Sequence, residues 1–146
     1  MTAQQNDQTE RLAPFYRGSC LCGGIQYELH GELGEIIQCH CRICRKASGT
    51  AFATNSPVKV TDFKLTQGEH LLKKYTSSVG TERCFCSECG SPLFSIKQNA
   101  PEFYRLRVGS LDTPITETPS MHIFVKDKAE WDSITDGLAQ YPSRPE

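Results

Sequence analysis

"GSCLCGGIQYEL", residues 18–29, sets two cysteines two positions apart and follows them with a strand signature. Ile25, Tyr27 and Leu29 alternate with polar neighbours, the period-two pattern of a strand buried on one face. Residues i and i+2 of an extended segment point the same way, so Cys20 and Cys22 present two thiols to one point in space. Two thiols are half of a tetrahedral metal site. The stretch therefore predicts a small β fold stapled by an ion.

The remaining cysteines of the eight follow the same logic, as Cys39/Cys41/Cys44 in "QCHCRICRKASG" (38–49) and Cys84/Cys86/Cys89 in "TERCFCSECG" (81–90). Such close spacings suit metal half-sites better than long-range disulfides. The segment "MTAQQNDQTERLAP" lacks the apolar core of a secretory signal, and no apolar run approaches bilayer length, so a cytoplasmic protein is expected. In a reducing compartment the thiols are read as zinc ligands. The polar residues 1–13 are expected to form a disordered tail, and residues 14–146 one zinc-binding β domain.

Charge narrows the partners. The formal net charge is −1, and thiolate zinc centres would take the loaded protein to about −4. A nucleic-acid partner is not expected from such a field, and no membrane association is expected either. One local basic cluster, Arg42, Arg45 and Lys46, lies beside the three-cysteine loop, where it could face a small anion or simply solvent.

Strand-like runs recur along the chain. "GEIIQCH" is expected to pair as a hairpin with residues 23–31. Further strands are expected at 50–56, 62–68, 70–77, 81–86, 92–97, 103–111 and 121–125. Helix is limited to one turn at "CRKAS" and a short C-terminal helix over 128–137 ending at Gly137. His122 and Trp131 are expected to pack that segment onto the sheet, and His40 to point away from its flanking cysteines.

Cys86 and Cys89 form a knuckle, "CSECG", in which Gly90 permits the backbone reversal. With Cys20 and Cys22 they complete a four-cysteine structural site; a redox-active C-x-x-C would need a βαβ context that the chain lacks. Cys39, Cys41, Cys44 and Cys84 remain. Either Cys84 closes a second site, or it is a free thiol and three thiolates hold an ion with one coordination position open. Spacing leaves both arrangements standing.

These motifs resemble the glutathione-dependent formaldehyde-activating enzyme family, which includes the centromere protein V-like domains. "GSCLCGGIQYEL" looks like its first cysteine pair, "CHCRICRKASG" its three-cysteine loop, "FCSECGSPLF" its second knuckle and "PSMHIFVKDKAEWDSI" its C-terminal segment. The likeness runs from about Gly18 to Tyr141. It implies a mainly β fold of antiparallel sheets, the β-tent type, with Cys20, Cys22, Cys86 and Cys89 on a structural zinc. It also implies Cys39, Cys41 and Cys44 on a catalytic zinc, and Cys84 departs from its pattern.

The activity implied is carbon–sulfur lyase chemistry, the addition of a thiol, glutathione, to formaldehyde or a related small electrophile. A zinc with an open corner can stabilise an incoming thiolate, whose free pKa is near ~8.5. Three thiolates make a weak Lewis acid, so thiolate delivery is favoured over carbonyl polarisation. Arg42, Arg45 and Lys46 are the cations expected to pair with glutathione carboxylates. The alternative is a non-catalytic zinc module that binds a partner. Oligomeric state is not legible.

Overall fold

The first strand, β1 (Tyr16–Ser19), runs antiparallel to β2 (Gln26–Leu29), and the alternation around it is realised: Ile25, Tyr27 and Leu29 are all buried. The computed structural model describes residues 14–145; the tail expected over residues 1–13 lies outside the described residues. Gly18 explains part of the opening motif. A Cβ there would sit 2.2 Å from the Tyr27 ring, so only glycine lets the two strands close.

β2 also pairs with β5 (Phe63–Gln67), completing a three-stranded antiparallel sheet. The other strands are β3 (Ile36–Cys39), β4 (Ala53–Lys59), β6 (Leu72–Ser78), β7 (Thr81–Cys86), β8 (Pro92–Lys97), β9 (Phe103–Arg107), β10 (Pro119–Ile123) and β11 (Ala139–Gln140). They form an eight-stranded sheet in the order β11-β10-β3-β4-β9-β8-β7-β6. Its neighbours are antiparallel except that β10 lies parallel to both β3 and β11. One α-helix occurs among the described residues, α1 (Arg42–Ser48). The fold is mainly β, as expected, and no described helix is long and apolar enough to cross a membrane.

One core joins the two sheets. Ile25, Tyr27 and Leu29 pack with Val58, Phe94 and Leu106, and Phe63 stacks on Tyr27 at 4.9 Å while meeting Phe94 edge-on at 5.2 Å. Each such fully buried side chain contributes about 1.5–3 kcal/mol of apolar burial. Strand alternation then gives the large sheet two unlike faces. Cys84, Phe94, Leu106 and Ser56 form a cross-strand row on the core side. Their neighbours Arg83, Ser95, Arg105 and Pro57 form the matching row on the far side.

Three expectations are corrected. β2 and β3 do not form a hairpin, because they belong to different sheets and β3 pairs with β4 and β10 instead. No helix forms over 128–137; a 3-10 turn, Val125–Asp127, precedes an irregular segment. There Lys128 Nζ donates to the carbonyls of Ala129 and Asp132, Ala129 is buried, and Gly137 takes φ +76° to lead into β11. Side-chain donors and tertiary burial replace the helical ladder. Trp131 is 70% exposed, so it does not pack onto the sheet, whereas His122 does.

Candidate metal centres and active site

The sulfurs of Cys20, Cys22, Cys86 and Cys89 lie within 4.8 Å of one another. The 3.5 Å between Cys20 and Cys22 and the 3.9 Å between Cys22 and Cys86 bracket the ~3.8 Å edge of a tetrahedron with Zn–S near 2.3 Å. The backbone prepares the site for charge. Amides of Gly24, Ile25 and Glu88 donate to the sulfurs of Cys22, Cys20 and Cys86 at 3.2–3.4 Å. Gly90, at φ +79°, turns the knuckle so that its own amide reaches the Cys86 carbonyl at 2.8 Å. The hydroxyl of Ser91 holds the Cys89 thiol down to about 5. Four soft sulfurs at this spacing fit zinc.

Cys39, Cys41 and Cys44 form a second group within the same 4.8 Å limit. Local structure brings them together. Cys39 ends β3, Cys41 is the N-cap of α1 and accepts from the Cys44 amide at 3.3 Å, and Gly49 at φ +69° closes the helix. Hydrogen bonds from Cys39 and Cys41, with Arg83 Nη2 3.8 Å from its sulfur, hold the Cys44 thiol well below its usual range; Cys39, as a donor to its neighbours, is pushed up. No fourth histidine, cysteine or carboxylate joins this group among the described residues. The trio likewise fits a thiophilic ion, with three protein ligands.

Cys84 belongs to neither group. It shares a strand face with Cys86 but sits in the hydrophobic core, and burial pushes its thiol up to about 11.

The three-cysteine group opens onto a cavity of about 340 Å³. Arg83, Lys97, Arg105 and Arg144 line it, and no carboxylate does among the described residues. The sheet register explains this concentration. Arg83 and Arg105 flank Ser95 in one cross-strand row, and Arg107 follows Arg105 on the same face, just outside the cavity lining. Arg107 is only 7% exposed, bonds to Asn55, and keeps a buried Nε without a partner among the described residues. Burial and the neighbouring Arg83 lower the pKa of Arg107. Like charges in one row oppose folding, so the arrangement favours an anion in the cavity.

The basic cluster read from adjacency lies elsewhere. Arg42 and Lys46 are exposed on α1, Arg45 is half-buried, and none of the three lines this cavity. The cations that do were missed because they sit on different strands. The signal available was the alternation "FYRLR" and "TERCFC", where arginines interleave with buried residues.

One wall of the cavity comes from the C-terminal segment. Phe124 adopts φ +55°, a strained setting for a bulky side chain, and its amide bonds to the Ser143 carbonyl at 2.8 Å. The Arg144 guanidinium lies 5.3 Å from the Phe124 ring centre. His40 points away from the sulfurs, as expected, into a buried contact with His122.

The model of the glutathione-dependent formaldehyde-activating enzyme family matches residues 15–127. A Halomonas elongata relative provisionally named as a glutathione-dependent formaldehyde-activating enzyme is 27% identical over 124 residues, covering 80% of this chain and 79% of the relative. An uncharacterized lyase of Schizosaccharomyces pombe is 32% identical over 91 residues, covering 62% of this chain and 64% of its own. Among solved structures, a Rhodobacter sphaeroides protein from structural genomics superposes with a TM-score of 0.60 at 21% identity, over 86% of this chain and 98% of that one.

Proposed function

The chain belongs to the glutathione-dependent formaldehyde-activating enzyme family, and from that premise we propose that it is a zinc-dependent carbon–sulfur lyase joining a thiol, glutathione, to formaldehyde at Cys39, Cys41 and Cys44. The observation that carries this reading is the gathering of three sulfurs, with no fourth protein ligand among the described residues, at the floor of a cation-lined cavity. Zinc held by the trio would supply stabilisation of the incoming thiolate. Cys20, Cys22, Cys86 and Cys89 would hold the second, structural zinc, stapling the turn between β1 and β2 to the end of β7.

The chain's own residues do the rest. Lys97, Arg105 and Arg144 receive the carboxylates of the thiol, which orients its sulfur toward the cysteine trio. Arg42, Arg45 and Lys46 lie off the cavity and have no part in this reading. Together Lys97, Arg105 and Arg144 leave the cavity positive enough to favour an anionic thiol over a neutral one.

The test is the rate of adduct formation from glutathione and formaldehyde with zinc-loaded protein, against a Cys41→Ser control. A wild-type rate above background that the control lacks supports the proposal. Equal rates in both contradict it.

A further inference from the structure

A three-thiolate zinc is a poor Lewis acid, so an aldehyde attacked at this site needs its oxygen stabilised by some other group. We propose that Arg83 is that group: its guanidinium receives the oxygen that becomes negative as the carbon–sulfur bond forms. The assignment rests on the reading of the trio as the thiol site and adds a catalytic residue to it.

The geometry singles Arg83 out among the cations of the cavity. Its Nη2 donates to Cys44 Sγ at 3.8 Å, the only side-chain cation bonded to the trio among the described residues. Its Nε donates to Ser77 Oγ at 2.9 Å, which fixes the plane of the guanidinium. Two of the five N–H groups are thereby used. The other three have no partner among the described residues, and Nη1 is buried from solvent. A pre-oriented guanidinium with unmet donor capacity beside the cysteine trio is the arrangement that stabilises a developing oxyanion without reorganisation. Lys97 and Arg105 feel the sulfurs only through space, and Arg144 is held against Phe124.

The step balances as follows. The thiolate electron pair forms the bond to the aldehyde carbon, and the C=O π pair moves onto oxygen. The resulting alkoxide accepts a hydrogen bond from the second Nη2 N–H of Arg83 and then takes a proton from solvent water, giving the hydroxymethyl thioether. In reverse, Arg83 holds the oxyanion from which the carbon–sulfur bond breaks.

The experiment compares wild type with Arg83→Met and Arg83→Ala, measuring kcat, zinc content and free-glutathione affinity by calorimetry. In Arg83→Met we expect kcat to fall by about 100-fold, or to background, while zinc content holds and glutathione affinity stays within about twofold of wild type. Methylguanidinium should restore rate to Arg83→Ala without changing its zinc content. The Arg83 assignment is overturned if Arg83→Met retains the wild-type advantage, if affinity falls as far as kcat, or if the lost rate tracks lost zinc. Equal rates for wild type and Cys41→Ser would overturn the parent reading as well, a result distinct from any of these.

Discussion

His40 Nε2 lies 2.8 Å from His122 Nδ1, a buried contact between residues 82 positions apart. Beyond it, His122 Nε2 reaches Asp136 Oδ2 at 2.8 Å. The carboxylate accepts from His122 Nε2, and one further proton is shared across the contact between His122 Nδ1 and His40 Nε2. Burial, then the facing His122, holds the His40 pKa down, which keeps this chain of bonds neutral at His40. The relay ties the three-cysteine loop to β10 and to the irregular segment that replaces the expected helix. Replacing His122 with Leu leaves His40 Nε2 buried and unpaired, and we expect a loss of about 2 kcal/mol in urea unfolding of the zinc-loaded protein. Faster amide exchange at Tyr141, bonded to the His122 carbonyl, should accompany it.

Gly18→Ala should be among the most damaging single-atom changes in the chain. The new methyl would overlap the Tyr27 ring at 2.2 Å, and Tyr27 is walled in by Phe63. Overpacking of this kind costs about 1–3 kcal/mol or more. Thermal melting checks it, and the double variant Gly18→Ala/Tyr27→Leu should recover part of the loss.

Alkaline pH offers a separate handle. Burial pushes the Tyr27 hydroxyl from 10.0 up to about 12, and burial with Glu117 does the same for Tyr16. The unfolded chain therefore loses these protons first. Stability is full below pH 10 and falls between pH 10 and about 12, by roughly 3 kcal/mol for Tyr27 alone. Tyr27→Phe should flatten this alkaline limb in denaturant titrations at successive pH values.

Cys84 sits outside both sulfur groups, so Cys84→Ala should leave the zinc content of purified protein unchanged. Cys86→Ser removes one sulfur of the four-sulfur group and should prevent stable folding. Stepwise chelation should take one zinc before the melting temperature moves, because the three-cysteine group offers one protein ligand fewer. Atomic absorption with parallel melting curves checks all three statements.

Much of this was legible along the chain. β7 and β8 fall on the expected residues, because alternation and flanking glycines are local signals. The group of four cysteines follows from spacing, since a C-x-C pair and a knuckle each preset two sulfurs, whereas the separation of Cys84 from the trio is seen only in the structure. What failed was non-local. The β2–β3 hairpin was inferred from adjacency, yet Gly34 donates to the Pro57 carbonyl at 2.9 Å and sends β3 into the other sheet. The cavity cations failed for the same reason: Arg83, Lys97 and Arg105 become neighbours only through the register of β7, β8 and β9. The segment 128–137 has helix-compatible residues, and the His122–Asp136 contact overrides them.

The account centres on a cysteine trio that admits an external sulfur, and cobalt substitution reads that most directly. Protein loaded with cobalt at both groups should show thiolate-to-cobalt charge-transfer absorption from seven cysteine sulfurs. Added glutathione should raise that absorption in wild type and leave it unchanged in Cys41→Ser. A wild-type spectrum that saturating glutathione does not alter would contradict the account.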